Sequence, residues 1–299
     1  DDVLAGFAFF HEDGTIEYLL HPSDRTTGLS YSLLPMIHAI ANDLLTPEQA
    51  SRHLRIIREY LLGPDGARLF DRPVKYAGGI QRYFQRAEST SFFGRENGLM
   101  YTHAHLRYAE ALAHYGDADG FFRALCQVNP VGIKELVPPA ALRQANCYYS
   151  SSDAAFADRY QAYAEYEKAM KGEVPLEGGW RVYSSGAGIA TGLIVRSLFG
   201  FHRETSEMVV DPVMPSALDG TRARLKLMER LFEVTYHNAG VGCGPAKVIL
   251  NGANLPFRRG ANPYRTGSAR ISLAEMEKHL AADINRLRCT WDNVYEGGV

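Results

Sequence analysis

The chain lacks the features that mark several common classes of protein. Its four cysteines are Cys126, Cys147, Cys243 and Cys289, and no two form a CxxC pair. A disulfide framework or zinc site is therefore not expected, and reduced thiols are predicted. No basic run exceeds two residues and the formal net charge is -2, which argues against a nucleic-acid partner. No apolar run approaches the ~20 residues that span a bilayer.

Common catalytic signatures are missing too. The sequence has no P-loop, no GxSxG nucleophile elbow and no HExxH helix, and no carboxylate pair has a spacing that assigns general acid and base roles. The acidic start, DDVLAGFAFFHEDG, lacks the basic segment that opens a secretory signal. We expect a cytoplasmic protein or an internal fragment, without a membrane partner.

What is present fits a globular protein. The chain has 299 residues, of which 46% are hydrophobic and 22% charged. This length corresponds to one large domain or two ordinary ones, and the composition is ordinary for a soluble domain.

The first two-thirds reads as mostly helical. Thr46 is a candidate N-cap, Pro47 fits the first helical position and Gln49 completes a capping box. Apolar residues then recur at helical spacing. Other helices are predicted over Ser30–Leu45, Thr102–His114, Asp117–Val128, Ser152–Met170 and Gly186–Phe199.

The pattern changes after Gly200. Short segments with β-branched or alternating apolar residues follow one another, separated by turn residues. Asn251 and Gly252 predict the turn of a hairpin. Several such segments in a row predict an antiparallel β-sandwich. The expected fold class is α+β, with a helical domain over 1–200 and a β-sandwich domain over 201–299.

One stretch, RVYSSGAGIATGLIVRSLFG from Arg181 to Gly200, places small polar residues before an apolar helix pattern. The first backbone N–H groups of a helix lack intrahelical partners and carry a partial positive charge. Ser184, Ser185 and Gly186 are therefore candidates for holding a phosphate. The alternative is an ordinary N-cap serine before a close helix contact, which spacing alone favours.

A second stretch, FQRAESTSFFGRENGLMYTHAHLRY, is dense in chemically active side chains, namely Arg86, Glu88, Arg95, Glu96, His103 and His105. A loop through Gly98 and then a helix carrying the histidines is predicted. Histidines two apart on a helix point in different directions, so they make a poor metal pair and no metal site is predicted. One histidine is expected to face a pocket while the other packs or faces water.

Two loops carry adjacent aspartate and arginine residues, Asp24–Arg25 and Asp71–Arg72. Arginine can grip sugar hydroxyls or phosphate in a fork. Such loop pairs are more often structural than catalytic, so the structural interpretation is preferred here.

Taken in order, these stretches resemble glycoside hydrolase family 94, the inverting β-glucoside phosphorylases. The segments that carry the resemblance are ENGLMYTHAHLRYAEAL, ALCQVNPVG, GGWRVYSSGAG and LFGFHRETSEMVVDPVMPSALDG. The resemblance spans about residues 1–275, and the loops look closest to the branch that acts on 1,2-β-oligoglucans. It implies an (α/α)₆ barrel, here partial, followed by a β-sandwich.

The resemblance also implies a reaction. Inorganic phosphate would attack the terminal glucosyl unit of a β-glucan with inversion, giving α-glucose 1-phosphate. Phosphate is the co-substrate, and neither a metal nor an organic cofactor is implied. The implied partners are a β-glucan oligosaccharide and phosphate, and a homodimer is left open.

Site residues follow by position within the resemblance. His103 matches a phosphate-contacting histidine, and Ser184 and Ser185 match a phosphate loop that includes Gly186. Glu96 matches a glutamate near the sugar. Arg86 and Glu88 are candidate saccharide contacts.

One departure concerns the general acid. In the family this is an aspartate in a D-W-[ND]-D-type motif upstream of the similar region, and the chain contains no such motif. We therefore predict no catalytic acid here and expect a C-terminal fragment of a phosphorylase. The alternatives are a non-catalytic carbohydrate-binding or structural remnant, and an inverting glucan hydrolase.

Overall fold

The fold was obtained as a computed structural model, which describes residues 3–76, 83–84, 98–182, 184–238 and 242–291. The chain divides into two compact units. The first comprises Asp1–Ala111 with Arg123–Ile189, and the second comprises Leu112–Phe122 with Ala190–Val299. The predicted division into domains 1–200 and 201–299 stays a prediction.

The helices follow the apolar patterns closely at several points. Helix α2 (Pro47–Ile56) begins with the predicted capping box, in which Thr46 and Gln49 each accept a hydrogen bond from the other's backbone N–H group. The other helices among the described residues are α1 (Leu33–Ala41), α3 (Thr102–Tyr115), α4 (Ala118–Val128), α5 (Ile133–Leu136), α6 (Arg159–Met170), α7 (Ser184–Leu193) and α8 (Leu273–Glu277).

Two helices continue into wider π-helical turns, and one isolated turn is tighter. Helix α2 runs into Ile57–Leu61, and α7 runs into Ile194–Leu198. A single 3₁₀ turn covers Ser216–Leu218. The predicted start of α4 is confirmed, because the Asp117 carboxylate accepts a hydrogen bond from the Gly120 N–H at 2.9 Å.

The first unit also contains short antiparallel strands. Strands β1 (Phe7–Phe10) and β2 (Ile16–Leu19) form a hairpin, as do β3 (Leu62–Gly63) and β4 (Gly66–Ala67). A three-stranded sheet has the order β5 (Met100–Tyr101), β6 (Ser151–Ala154) and β7 (Leu176–Gly178). The predicted helix over Ser152–Met170 is wrong at its start, because Ser151–Ala154 is a strand held by pairing to distant segments.

The second unit contains two sheets. One is four-stranded in the order β14 (Arg258–Arg259), β15 (Ala269–Ser272), β9 (Glu207–Val210), β8 (Phe201–Arg203). The other is five-stranded in the order β10 (Arg222–Leu227), β11 (Arg230–His237), β16 (Ile284–Thr290), β12 (Lys247–Leu250), β13 (Ala253–Asn254).

Alternation along these strands builds one core. Side chains of both sheets, including Met208, Phe232, Val248, Ile271 and Leu287, belong to a single buried hydrophobic cluster. Two sheets that bury their inner faces together are what a sandwich requires. This arrangement supports the proposed β-sandwich, while the partial barrel of the first unit stays a proposal.

Pairing in the second unit is mixed rather than purely antiparallel. The hairpin predicted at Asn251–Gly252 is confirmed, since both residues have positive φ values, 49° and 87°, between β12 and β13. In contrast, β11 and β16 pair in parallel, which differs from the antiparallel pairing expected. Parallel neighbours need a long connection, and strands β12–β15 with α8 supply it.

Within the described part of the chain, no helix combines the length and apolar character needed to cross a membrane.

Candidate functional site

The sheet β5–β6–β7 organises the segments that carry the predicted phosphate-binding residues. Tyr101, two residues before His103, pairs with Ser151 of β6. On the other side of β6, the Gly179 N–H donates to the Ser151 carbonyl at 3.1 Å. The central strand therefore has the helix of His103 on one side and the chain leading to Ser184 on the other.

Ser150 extends this connection by one residue. Its carbonyl accepts from the Thr102 N–H at 2.9 Å, and its own N–H donates to the Trp180 carbonyl at 2.8 Å. The Ser150 hydroxyl also accepts from the Trp180 N–H at 2.9 Å. Because neighbouring strands lie about 4.8 Å apart, Thr102 and Trp180 are about two strand spacings apart.

His103 occupies the first turn of α3. It is half-buried, and its ring lies nearly parallel to that of Tyr101, with 6.1 Å between centroids and 18° between planes. Burial, with the positive charges of Arg107 and His38, lowers the pKa of His103. A lowered pKa favours the neutral imidazole, which has one N–H that can donate to an anion.

His105 is structural. It is fully buried, its Nδ1 accepts from the Ala67 N–H at 3.0 Å and its Nε2 donates to the Ala124 carbonyl at 2.9 Å. A Cβ on Gly66 would lie 2.7 Å from Nδ1, so the β3–β4 turn is fitted around the ring. Burial lowers the pKa of His105 to about 4. His105 is therefore the histidine that packs, and the expectation that the other, His103, faces a pocket stays a prediction.

Ser184 and Ser185 open α7. Both are exposed, whereas Gly186 is buried. The next three residues, Gly186 to Gly188, are small, and a Cβ on Gly188 would meet nothing within 4 Å. The start of α7 therefore presents the serine hydroxyls together with the helix-start N–H groups, which lack intrahelical partners.

The residues before α7 are unusually placed. Trp180 and Val182 are 75% and 82% exposed, although both are apolar. Val182 also has φ of 59°, a left-handed conformation that strains a β-branched residue. Strain of this kind clusters at functional sites, so this segment fits a binding loop.

The remaining predicted site residues, Arg86, Glu88 and Glu96, lie outside the described residues. The structure thus places His103 and the Ser184–Gly186 segment on elements joined by one sheet. Their convergence on a single anion stays a prediction.

Both loop aspartates named from the sequence hold backbone. The Asp24 carboxylate accepts from the N–H groups of Leu20, Thr26 and Thr27 at 2.8–2.9 Å. Asp71 accepts from the N–H groups of Ser30 and Tyr31 and lies 3.3 Å from Arg72. The structural interpretation preferred for these aspartates is confirmed.

Sequence reasoning missed a buried ion pair beside His105. Asp65 and Arg68 are each 1% exposed and lie 2.8 Å apart. Arg68 also donates to the Gly66 carbonyl at 3.0 Å. The Tyr166 hydroxyl donates to the Gly98 carbonyl, and Tyr166 interacts electrostatically with both charges. Burial raises the pKa of Tyr166. Three residues apart in a short turn, the pair had no periodic signal that could have revealed it.

Two further charged residues that are largely buried, Arg143 and Asp153, lie in the same unit. The Arg143 guanidinium donates to the Ser152 hydroxyl at 3.0 Å and sits over the Tyr149 ring. Burial raises the pKa of Asp153, which the charge of Arg143 opposes. Strand β6 thus carries partly buried polar groups beside the segment that precedes α7.

Metal ligation is not indicated. Among the described residues, no three His, Cys, Asp or Glu side chains cluster as a metal site would require. An open groove of about 970 Å³ lies on the five-stranded sheet. All residues lining it belong to the second unit, and none of the predicted site residues is among them.

Comparison with known proteins bears on this site. No protein-family model matches the chain. Over 267 residues, the chain is 43% identical to the 1,2-beta-oligoglucan phosphorylase of Listeria innocua serovar 6a. This chain is similar to an oligoglucan phosphorylase.

The similarity covers 89% of this chain and 24% of the Listeria protein. The chain thus spans about a quarter of the length of the relative it matches. The identity supports the resemblance to glycoside phosphorylases that the motifs indicated. Assignment to family 94, an inverting mechanism and a fragment that lacks its acid stay predictions.

Proposed function

We propose that this chain contributes the phosphate-binding part of an inverting phosphorylase that acts on β-glucans, with β-1,2-linked oligoglucans as the favoured substrate. The observation that carries the proposal is its 43% identity over 89% of its length to an oligoglucan phosphorylase. The sheet that links the His103 helix to the Ser184 segment is the supporting geometry.

In this proposal the start of α7 and His103 hold inorganic phosphate. Free N–H groups at the helix start and the hydroxyls of Ser184 and Ser185 donate to phosphate oxygens. A neutral His103 adds one donor without a permanent charge. Trp180 lies beside this loop, and its exposed ring offers a face for a sugar.

The reaction would proceed by direct displacement. A phosphate oxygen bonds to the anomeric carbon as the bond from that carbon to the glycosidic oxygen breaks. A general acid gives its proton to the departing oxygen, which becomes a hydroxyl of the shortened glucan. Because phosphate is already a nucleophile, no catalytic base is required, and binding and orientation of the anion supply much of the catalysis.

Phosphate binding is the first test. Titration of the 299-residue chain with inorganic phosphate, followed by the amide signals of Ser185 and Gly186, should show saturable binding. Substitutions Ser184→Ala and His103→Ala should each weaken it about tenfold, because a hydrogen bond to a charged group is worth roughly 1.5–3 kcal/mol. Thr191→Ala, exposed later on the same helix, is the matched control and should leave binding unchanged. Unchanged binding in both site variants would exclude this location.

Turnover is the second test. The chain alone should release little α-glucose 1-phosphate from β-1,2-oligoglucosides, because an acid typically contributes ~10²–10⁴ in rate and its motif is absent here. A chain extended through a D-W-[ND]-D-type segment should be active. Equal rates would refute the assignment of the acid to that motif. Glucan binding without any phosphate effect would instead favour a carbohydrate-binding role, and release of free glucose would favour a hydrolase.

A further inference from the structure

The groove on the five-stranded sheet is rich in arginine. Its rim and floor include Arg222 and Arg224 of β10 and Arg286 and Arg288 of β16. The acidic residue lining it is Glu233 of β11, the strand between them. Residues opposite one another in register project on the same face of a sheet, so these side chains form rows across the groove.

One row shows how the sheet neutralises flanking arginines. Arg224 pairs in register with Glu233, which pairs with Arg286. The Glu233 carboxylate lies 2.6 Å from Arg224 and 3.8 Å from Arg286. The carboxylate on the central strand of this row therefore interacts with both guanidinium groups.

The next row repeats the arrangement without the anion. Arg222 pairs with Thr235, which pairs with Arg288. Both arginines are exposed, and within the described residues neither has an ion-pair partner. They stand about two strand spacings, roughly 10 Å, apart, a gap that two flexible arginine side chains can close around a small anion.

We propose that the row Arg222–Thr235–Arg288 binds a phosphate group, in the position that the Glu233 carboxylate takes in the neighbouring row. Two guanidinium groups carry two positive charges, which a phosphate dianion matches and a single carboxylate does not. Each fork can donate to two phosphate oxygens, and the Thr235 hydroxyl can donate to another. This site lies within the second unit and does not depend on the proposed function.

The groove is larger than a phosphate ion. A volume of about 970 Å³ is at the upper end of small-molecule pockets. Asn251 and Gly252 lie on its rim and offer amide and backbone groups to hydroxyls. Inorganic phosphate and a hexose phosphate share the recognised group, so the experiment uses both.

The decisive variant supplies the missing anion from the protein itself. Thr235→Glu places a carboxylate between the two arginines, as Glu233 is placed between Arg224 and Arg286. Thr235→Gln has nearly the same size without the charge. Both are made with His103→Ala and Ser184→Ala, so that phosphate bound near α7 does not contribute.

Binding of inorganic phosphate and of glucose 1-phosphate is followed at low salt through the amide signals of Thr235 and Arg288. We expect Thr235→Glu to weaken binding at least about tenfold and Thr235→Gln to leave it within about twofold, because only the former fills the site with charge. Arg222→Ala and Arg288→Ala should each weaken it about tenfold. Lys226→Ala, whose partner Glu229 lies 2.5 Å away, is the charge control and should have little effect.

The two ligands separate the sources of the phosphate group. Tighter binding of glucose 1-phosphate would show that the rim contacts the sugar, and equal binding would show that the anion alone is recognised. No signal change at these amides with either ligand, or equal weakening by Thr235→Glu and Thr235→Gln, would overturn the proposal. Binding of an acidic peptide with no binding of either phosphate would overturn it as well.

Discussion

The two units of the chain have interiors of different chemistry. Among the described residues, the buried polar residues of the second unit are uncharged, namely Asn238, Ser268, Asn285 and Thr290, and the charged side chain nearest to burial there is Arg265, which is 7% exposed and paired with Asp211. The first unit buries ionisable groups as well, namely His21, Asp24, His53, Asp65, Arg68, His105 and Arg159. The second unit keeps most of its arginines on the surface, including those of the groove.

This difference indicates that the two units are stabilised in different ways. A buried charge costs free energy unless it is paired and hydrogen-bonded, so an interior rich in such groups is held together by specific partners. An apolar interior is stabilised by side-chain packing, so its stability depends less on any one specific partner. The unit with the charged interior also carries His103 and Ser184, where an orienting polar framework would serve a binding site.

The largest expected effect breaks the buried pair of the first unit. Arg68→Met should lower the free energy of unfolding by about 3–5 kcal/mol, because Asp65 would stay buried without its partner. Urea unfolding followed by circular dichroism measures the loss. The double variant Asp65→Leu/Arg68→Met should recover most of it, since neither charge then remains. A single variant as stable as the parent would show that this pair does not hold the first unit together.

The pH dependence of stability is the next largest effect. His105 has a folded pKa of about 4, below its unfolded value of about 6.5. The unfolded chain therefore binds more protons between these values, and stability present above about pH 6.5 is lost as the pH falls toward 4. The full loss is about 3 kcal/mol.

His105→Gln should remove most of this pH dependence, as measured by urea unfolding at several pH values between 4 and 7. His103→Gln is the matched control two residues away, and it should change the slope less because His103 is half-exposed. A parent protein whose stability is flat across this range would contradict the burial of a neutral His105.

How much of each unit could be predicted from the sequence depends on whether a feature is local in the chain. The capping box at Thr46 and the turn at Asn251–Gly252 are local, so the sequence specifies them directly. Strand β6 could not be predicted, because Ser151–Ala154 has no alternating apolar pattern and is held by hydrogen bonds from β5 and β7. The parallel pairing of β11 and β16 is equally non-local.

The candidate site divides in the same way. The helix of His103 was predicted to begin at Thr102, as it does, whereas the helix after Ser184 was predicted to begin at Gly186 and begins two residues earlier. The role of Ser150, which links Thr102 to Trp180, depends on contacts between segments distant in sequence. The Asp65–Arg68 pair lies in a turn whose burial comes from elements around it, and a single sequence carries no sign of that burial.

A polar group placed in the second unit sharpens the comparison. Val234 is fully buried in the cluster between the two sheets. Val234→Thr keeps the shape of the side chain but buries a hydroxyl without a designed partner, which should cost about 1–3 kcal/mol. Thermal unfolding of the variant and the parent measures it, since the parent valine has the same shape as threonine. A cost well below about 1 kcal/mol would show that this interior accepts polar groups after all.

The smallest expected effect concerns a buried tyrosine hydroxyl in each of the two units. Tyr166 in the first unit and Tyr236 in the second each donate a hydroxyl hydrogen bond to a backbone carbonyl, of Gly98 at 3.1 Å and of Phe199 at 2.9 Å. Replacing either by Phe should cost about 1 kcal/mol.

The two tyrosines should differ when each Phe substitution is combined with Arg68→Met. Tyr166 lies in the field of Asp65 and Arg68, so its effect should change by about 0.5 kcal/mol or more in a double-mutant cycle, as members of one polar network do. Tyr236 is surrounded by apolar side chains, and its effect should add to that of Arg68→Met. Equal additivity at both tyrosines would mean that the buried charges of the first unit act as an isolated pair rather than as a network.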